Sequence, residues 1–487
     1  MGLNLITDAW IPVRLADGGR RVVAPEGIAE PDVVAVDWPR ADLNLACLEL
    51  LVGLVLLADP PRDLADWRAR RGPDRARLAG RLAPFAPAFE LLGEGPRFLQ
   101  DREELPGAGD GVDMLFIDSA GASTAKKNAD LLPHRARYGT LDLPLAAMAL
   151  YTLQAFAPSG GAGNRTSMRG GGPMVTLVDP GQGLWPLVWA NVPGGAPATM
   201  EALPWMRPTR TSEKGQQVFP VDAAPVEAFF GMPRRLRLIG DADGVTGVRQ
   251  RPYGTNYAGW EHPASPHYRQ KAGGELLPVH PKPGLFGYRN WLGIVYRESG
   301  GLRHRAPMVE EWARRRPEGE RVRLLVGGWA MSNMTAQDFI WSSEPLVPLD
   351  EAASDRLEGM IEAARIYAAV LRRALEPLTA DGTARDAVQE AFFARTQGTL
   401  DALLTRLAAG EDPARDWLAQ MRRVALDLFD ARALPLLSQR GETAQREIVA
   451  RRGQMSAAFA GYGKTGVTAW DTMQLIPPAV KRKDDAA

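Results

Sequence analysis

Proline and glycine become scarce after Pro348, and this change constrains the fold more than any other feature of the chain. Beyond it, apolar residues recur at helical spacing in four stretches, at about 351 to 376, 384 to 409, 413 to 433 and 441 to 460. Short connections at 377–383, 410–413 and 435–441 separate them. Four helices of this length predict an antiparallel four-helix bundle that forms a C-terminal domain, residues 351–487.

The predicted helices carry many arginines on the faces opposite their apolar stripes. They are Arg372, Arg373, Arg395, Arg406, Arg422, Arg423, Arg446, Arg451 and Arg452. Solvated faces on which Arg pairs with Asp and Glu are the commoner interpretation, and a face that binds a partner or guides a nucleic-acid strand is the alternative. The basic end of the chain, residues 481–487, is predicted to be a frayed tail.

Residues 1–350 have the pattern of an irregular α+β domain. Trp10–Leu15 and Arg21–Ala24 flank an Asp-Gly-Gly turn, which predicts a hairpin. Two apolar helices are predicted at Asp42–Ala58, largely buried, and at Leu141–Phe156. From about 180 to 350 short β-like pieces alternate with Pro and Gly. The predicted fold class is α+β, a large irregular mixed domain followed by the helical bundle.

The segment from Phe156 to Pro173 contains two glycine clusters, separated by a stretch that bears Arg165 and Arg169, and it leads into a strand-like run. Glycine lets a main chain approach a large ligand closely, and arginine supplies charge for an anionic one. The segment therefore suggests a surface that touches a phosphate backbone. A mobile surface loop is the equally weighted alternative, because only half of a dinucleotide fingerprint is present.

Charge and cysteine content limit the possible functions. Lys and Arg number 58, as do Asp and Glu, so the net charge is zero and any nucleic-acid binding must use local basic patches. The single cysteine, Cys47, excludes an intramolecular disulfide and a cysteine-based zinc site, which favours a reducing, cytoplasmic location. The apolar run near Leu50–Ala58 is short for a membrane span, so no membrane association is expected.

No clustered catalytic chemistry is evident in the sequence. None of the five histidines has a metal-ligand spacing, and there is no nucleophile elbow. Residues 461–465 imitate the end of a phosphate-binding loop, but they follow a helix where that motif follows a strand. We therefore predict a non-catalytic protein without cofactor or metal, and an enzyme whose site is assembled from distant residues is an alternative.

Several segments together resemble the CasA family, the large subunit of the type I-E CRISPR surveillance complex Cascade. They are Asn4–Arg14, Trp38–Asp42, Ala157–Pro158, Met168–Pro173, Trp260–Pro266, Gly327–Trp329 and the helical region. No single motif is specific, but their order and spacing match over most of the chain. The resemblance implies a subunit that reads the protospacer-adjacent motif (PAM) of duplex DNA from the minor groove and starts strand separation beside it.

The resemblance assigns the DNA-reading residues of the family to three places. Its glycine loop matches Ser159, Gly160, Gly161 and Ala162, where small residues allow main-chain contact with base edges. Its basic finger, usually lysine, matches Arg251. Its wedge, a glutamine at a hairpin tip, matches Asn333 with Ser332 and Met334 beside it. Some relatives carry a cysteine cluster before the finger, but Ile239–Arg251 has no cysteine and no zinc is predicted.

A further loop of the family contacts the guide RNA, and its match is Ala125–Tyr138, in which Lys126, Lys127 and Asn128 are the candidate contact residues. Arg135 and Arg137 in the same loop also suit phosphate contacts. The expected partners are the other Cascade subunits, the CRISPR RNA, double-stranded target DNA and a helicase-nuclease. A purely structural scaffold subunit without DNA readout is the remaining alternative.

Overall fold

The computed structural model describes residues 2–119, 126–128, 134–161 and 163–478. Two compact units are present. The first comprises Met1–Gly284, Leu302–Glu318 and Val322–Glu344, and the second comprises Leu285–Gly301, Gly319–Arg321 and Pro345–Ala487. Residues 285–301, which the sequence assigns to the N-terminal domain, therefore cluster with the C-terminal helices.

The core of the first unit forms around one apolar helix, α1 (Ala41–Ala58). It is the one helix among the described residues that is long and apolar enough to cross a membrane, with a mean hydropathy of 2.0, yet 89% of it is buried inside the fold. The apolar stretch is thus longer than the 50–58 run suggests, and leucines on all sides of the helix pack against protein. The predicted burial of this helix is confirmed.

The other helices whose bounds lie within the described part of the first unit are shorter. They are α2 (Leu64–Ala69), α3 (Arg75–Leu82), α4 (Leu143–Phe156), α5 (Leu184–Ala190) and α6 (Pro307–Arg315). Helix α4 packs on α1 and begins at Asp142, whose side chain accepts a hydrogen bond from the Leu145 amide. A proline in the first turn suits this start because that position needs no amide donor.

Eleven strands form four small sheets among the described residues, and all of them except the last two residues of β11 belong to the first unit. They are β1 (Ile11–Leu15), β2 (Arg20–Val23), β3 (Val33–Val36), β4 (Val175–Asp179), β5 (Arg235–Asp241), β6 (Gly244–Arg251), β7 (His267–Arg269), β8 (Leu276–Pro278), β9 (Arg303–His304), β10 (Val322–Ser332) and β11 (Thr335–Leu346). The strand orders are β2-β1-β3, β11-β10-β4, β5-β6 and β8-β7-β9.

The pairings confirm local predictions. In the first hairpin Val13 lies opposite Arg21, on either side of the predicted turn. The strand that follows the glycine segment, β4, pairs antiparallel with β10, and Val175 lies opposite Gly327. The end of the glycine segment is thereby fixed to the long β10–β11 hairpin. Among the described residues the fold is a mixture of helices and small sheets, as predicted.

The second unit is helical. Its helices are α7 (Glu351–Ala374), α8 (Gly382–Ala408), α9 (Ala414–Leu437), α10 (Glu442–Phe459) and α11 (Gly463–Thr472). The first four lie at the predicted positions. Helix α9 continues through Pro435, where the predicted break is wrong, because a proline within the last turn removes only one hydrogen bond. The fifth helix is absent from the prediction, and the predicted frayed tail lies outside the described residues.

Most of the arginines on these helices are paired with carboxylates. Arg406 contacts Glu411 and Asp416 at 2.7 and 2.6 Å, and Arg452 contacts Asp430 at 2.7 Å. Arg372, Arg395, Arg446 and Arg451 also have acidic partners. These pairs favour the interpretation of solvated, charge-paired helix faces over that of a free basic surface.

Candidate nucleic-acid interface

The long hairpin ends in an exposed two-residue turn. Asn333 and Met334 connect β10 to β11 with φ of +47° and +62°. Positive φ at both central residues is the geometry of the tight turn that matches the twist of paired strands, and asparagine tolerates it better than most residues. Ser332, Asn333 and Met334 are all exposed, and Met334 keeps 47% of its accessible surface. The hairpin thus presents the candidate wedge residues at its tip.

Gly160–Gly163, the first glycine cluster, forms a small loop at the surface after helix α4. Ser159, Gly160 and Gly161 are exposed, and Ala162 lies outside the described residues. The Asn164 amide donates to the Gly161 carbonyl at 2.7 Å, which closes the loop on itself. Gly161 has a φ of +64°, and no described residue beyond its chain neighbours comes within 4 Å of the place where a Cβ would lie. Main-chain groups are therefore accessible on this face.

The hairpin tip and the loop lie in contact. The Ser159 amide donates to the Met334 sulfur at 3.5 Å, although the two residues are 175 positions apart in sequence. Gly171 fits beneath this contact, because a Cβ on it would lie 3.2 Å from the same sulfur and 2.9 Å from the Pro158 Cα. The structure therefore brings Ser159 and Met334 together.

The end of β6 contacts the other side of the loop. The Gln250 amide group donates to the Asn164 side-chain oxygen at 3.1 Å, and the Tyr253 amide donates to the Gly163 carbonyl at 2.8 Å. The Arg251 guanidinium instead donates to the Pro106 carbonyl. The strand that bears Arg251 thus reaches the loop through its neighbours, while the charged group of Arg251 lies against a separate segment.

One sequence prediction about the charges of the glycine segment is wrong. Arg169 is only 3% exposed and contacts Glu49 of α1 at 2.7 Å, so its charge is neutralised in the core and does not face a ligand. It also donates to the Ser265 hydroxyl and to the Ala155 carbonyl. Arg165 is half-buried and donates to the hydroxyl and carbonyl of Ser212.

Gly170–Gly172, the second glycine cluster, has a different environment from the first. Gly171 and Gly172 are buried, and Gly172 has a φ of +65°. A Cβ on Gly172 would lie against the Trp329 carbonyl oxygen, well inside contact distance. This cluster lets the chain pack closely beneath the hairpin, and Gly171 and Gly172 do not form an exposed surface.

Two residues near the loop were not predicted from the sequence. Arg234 is 6% exposed and donates to the Pro158 carbonyl, and the Tyr253 ring covers Gly163, where a Cβ would lie 2.7 Å from it. Arg234 directly precedes strand β5, and neighbouring residues on an extended chain point to opposite sides. Arg235 pairs with Asp101 at 2.6 Å, so Arg234 points to the other side of the chain, away from that carboxylate. The alternation of side chains along an extended segment is the sequence signal that could have indicated this.

The candidate guide-contacting residues are exposed. Lys126, Lys127 and Asn128 all face solvent, and the Asn128 side chain accepts a hydrogen bond from Arg135 at 3.0 Å. Arg137 is paired with Asp118 at 3.1 Å and is less available for phosphate than predicted. The rest of the predicted loop, at 125 and 129–133, lies outside the described residues. No described contact joins these residues to the glycine loop.

Within the described ranges no group of three or more His, Cys, Asp or Glu side chains is placed to hold a metal ion. The two histidines closest in sequence are buried. Burial lowers the pKa of His262 well below its usual value, and burial together with the nearby charge of Arg169 lowers the pKa of His267 to about 4. Both are neutral core residues at neutral pH.

Solved structures share this architecture. The chain matches a Thermus thermophilus CasA structure with a TM-score of 0.75 and 19% identity, covering 94% of this chain and 100% of that one. It matches Thermobifida fusca Cse1 with a TM-score of 0.75 and 18% identity, covering 96% and 98%. A chain of a structure described as a CRISPR RNA-guided surveillance complex matches with a TM-score of 0.69 and 15% identity, covering 93% and 99%. The fold is therefore that of the CasA proteins.

A family model agrees with this. The model described as CRISPR-associated protein Cse1 matches residues 4–428, which is most of the chain. The chain belongs to the Cse1 family, also called CasA, which is the family of the large subunit of the Cascade surveillance complex. The resemblance stated from the sequence is confirmed.

Proposed function

We propose that this Cse1 family member reads a PAM in double-stranded target DNA from the minor groove and starts strand separation beside it. The single observation that carries the proposal is the contact between the Ser159 amide and Met334, which joins an exposed glycine loop to an exposed hairpin tip. A minor groove about 6 Å wide admits bare backbone more readily than long side chains.

Each element has a distinct role in this proposal. The loop at Ser159–Gly161, with Ala162, contacts base edges through its main chain. Asn333 and its neighbours Ser332 and Met334 enter a base step and unstack it, which costs a few kcal/mol per step. Pairing with the guide RNA then replaces the lost base pairs almost evenly. Arg251 leaves the Pro106 carbonyl and contacts the groove, and its planar donor group suits the acceptors there.

The same proposal extends to the assembly. Lys126, Lys127 and Asn128 contact the guide RNA, because they are exposed and two of them are cationic. The C-terminal helices form a four-helix bundle that packs on neighbouring small subunits and guides the displaced strand. The assembled surface recruits the helicase-nuclease that degrades the target. The subunit itself is non-catalytic and cytoplasmic.

The test uses the chain assembled with its guide complex. Asn333→Ala combined with Arg251→Ala should weaken binding to motif-bearing targets about 100-fold, since two groove contacts are lost, while assembly stays intact. The readout is a gel shift with duplexes that differ only in the flanking trinucleotide. A matched control removes the same types of side chain away from the tip, as Arg323→Ala with Gln182→Ala, because both residues are exposed and Gln182 closely follows Asp179, the β4 residue opposite Arg323. This control should bind like wild type.

Retained, motif-dependent affinity in the double variant would refute the assignment of these residues. The scaffold alternative makes a separate prediction: alanine substitutions in Ser159–Ala162 should then leave DNA selection unchanged. A wild-type complex that binds all flanking trinucleotides equally would favour that alternative.

A further inference from the structure

A buried arginine without a carboxylate partner lies directly beneath the exposed glycine loop. Arg234 is 6% exposed, and no carboxylate among the residues that the structure describes pairs with it. Its Nη2 donates to the Pro158 carbonyl, and its Nε, which is buried, has no hydrogen-bond partner in the described part of the chain. Burial lowers the pKa of Arg234 to about 10, so it still carries its charge at neutral pH. A buried charge without a counter-ion destabilises the folded state, so its presence indicates a functional role.

The position of Arg234 is fixed by the core. The Gln154 side chain accepts a hydrogen bond from the Arg234 amide and donates one to its carbonyl, both at 3.0 Å. Gln154 also donates to the Leu99 carbonyl at 3.0 Å. A side chain that holds both main-chain groups of one residue prevents it from rotating away. The backbone of Arg234 is therefore fixed under the loop, and the guanidinium is held there by its own hydrogen bond to the Pro158 carbonyl.

The backbone of Gly160 lies between the charge of Arg234 and solvent. Its Nη1 would lie 2.6 Å from a Cβ placed on Gly160, so the cation is packed against an exposed residue that has no side chain to shield it. A guanidinium bound to the Pro158 carbonyl also polarises the peptide group that contains the Ser159 N–H, and this makes the N–H a stronger donor. Among the described residues, that N–H donates only to the Met334 sulfur, a weak acceptor.

We propose that the Ser159 amide and the underlying Arg234 form a binding site for one phosphate of the DNA backbone, and that this phosphate replaces the Met334 sulfur as the acceptor. The inference rests on the proposed function, because it takes duplex DNA as the ligand of the loop. It adds that the loop contributes motif-independent affinity besides contact with bases. It also couples phosphate binding to release of the hairpin tip, whose Met334 is then free to enter the duplex.

The first experiment compares Arg234→Gln with Arg323→Gln in the assembled complex. Both variants lose one positive charge from the same unit, but Arg323 is exposed and donates to the hydroxyl and carbonyl of Ser343, near the opposite end of β10 from the tip. Affinities for a motif-bearing duplex and for a scrambled-motif duplex are measured across a salt series.

Arg234→Gln should weaken binding to both duplexes by about tenfold and reduce the slope of log affinity against log salt by about 0.9, the value for one neutralised phosphate. Arg323→Gln should change neither. An unchanged salt slope in Arg234→Gln would overturn the phosphate site. Equal wild-type affinity for the two duplexes would instead count against the proposed motif reading, and the slope would still report on the phosphate.

A second pair of variants does not alter the buried arginine. Ser159→Pro removes the amide hydrogen, which donates to the Met334 sulfur, and Ser159→Ala keeps it. Ser159→Pro should lower the affinity for both duplexes about fivefold, while Ser159→Ala, which keeps the amide hydrogen, should lower it much less. Equal binding by the two variants, with melting temperatures equal to that of the wild type, would refute the role of this amide.

Discussion

The two glycine clusters of one short segment have opposite environments. In the first, Gly161 has a φ of +64° and open space around it, whereas in the second, Gly172 has a φ of +65° and lies against the Trp329 carbonyl. Glycine with nearly the same φ thus lies in an exposed loop in the first cluster and in close packing in the second. Glycine content shows where a chain can approach something closely, and the three-dimensional surroundings decide whether that is a ligand or the protein itself.

The largest expected effect tests how the second cluster is anchored. Glu49→Gln should lower the free energy of unfolding by about 3–5 kcal/mol, because it leaves the buried charge of Arg169 without a carboxylate. Urea denaturation measures this. Glu103→Gln is the control, since Glu103 contacts Arg235 at 2.8 Å but is 75% exposed and should cost less than about 1 kcal/mol. Equal losses in the two variants would mean that Arg169 does not anchor the segment.

The next test uses the matched pair of glycines. Gly172→Ala should cost about 3 kcal/mol, from the left-handed backbone and from the overlap with the Trp329 carbonyl, whereas Gly161→Ala should cost about 1 kcal/mol from the backbone alone. Thermal and urea unfolding of both variants give the comparison. Similar costs at the two positions would contradict the difference in packing described above.

The smallest expected effect is a pH dependence near the second cluster. The folded-state pKa of His267 is about 4, lowered by burial and by the nearby charge of Arg169, against about 6.5 in the unfolded chain. The unfolded state therefore binds more protons between these values, and stability should fall as the pH falls through this window. His267 alone accounts for about 2 kcal/mol between pH 7 and pH 5.

Denaturation of wild type and His267→Gln at several pH values measures this contribution. The variant should show a weaker decline between pH 7 and pH 5, whatever its stability at pH 7. His262 contributes in the same direction and remains in the variant. Parallel pH profiles for the two proteins would show that His267 is not the group responsible.

Local patterns predicted much of this architecture. The first hairpin, helices α1 and α4 and the four long C-terminal helices follow from spacing and caps that lie within each segment. The position of Asn333 at a hairpin tip came from the family resemblance, and the turn geometry agrees with it. What the sequence missed depends on distant partners: Arg169 pairs with a residue 120 positions away, which no local pattern indicates.

The contacts around the loop were harder to predict for the same reason. Ser159 and Met334 are 175 positions apart, and the loop becomes a candidate site only when helix α4 and the long hairpin are packed together. Arg234 has an arginine on its C-terminal side and gives no sign in the sequence that it lacks a carboxylate. Its burial depends on Gln154, from which it is separated by 80 residues.

The aromatic ring over Gly163 has an evolutionary consequence. Because the Tyr253 ring occupies the space that a side chain at position 163 would need, a larger residue at position 163 cannot be accommodated while Tyr253 stays the same. We expect natural variants that place a larger residue at position 163 to carry a smaller one at position 253. Such correlated replacement would show that the two positions co-vary.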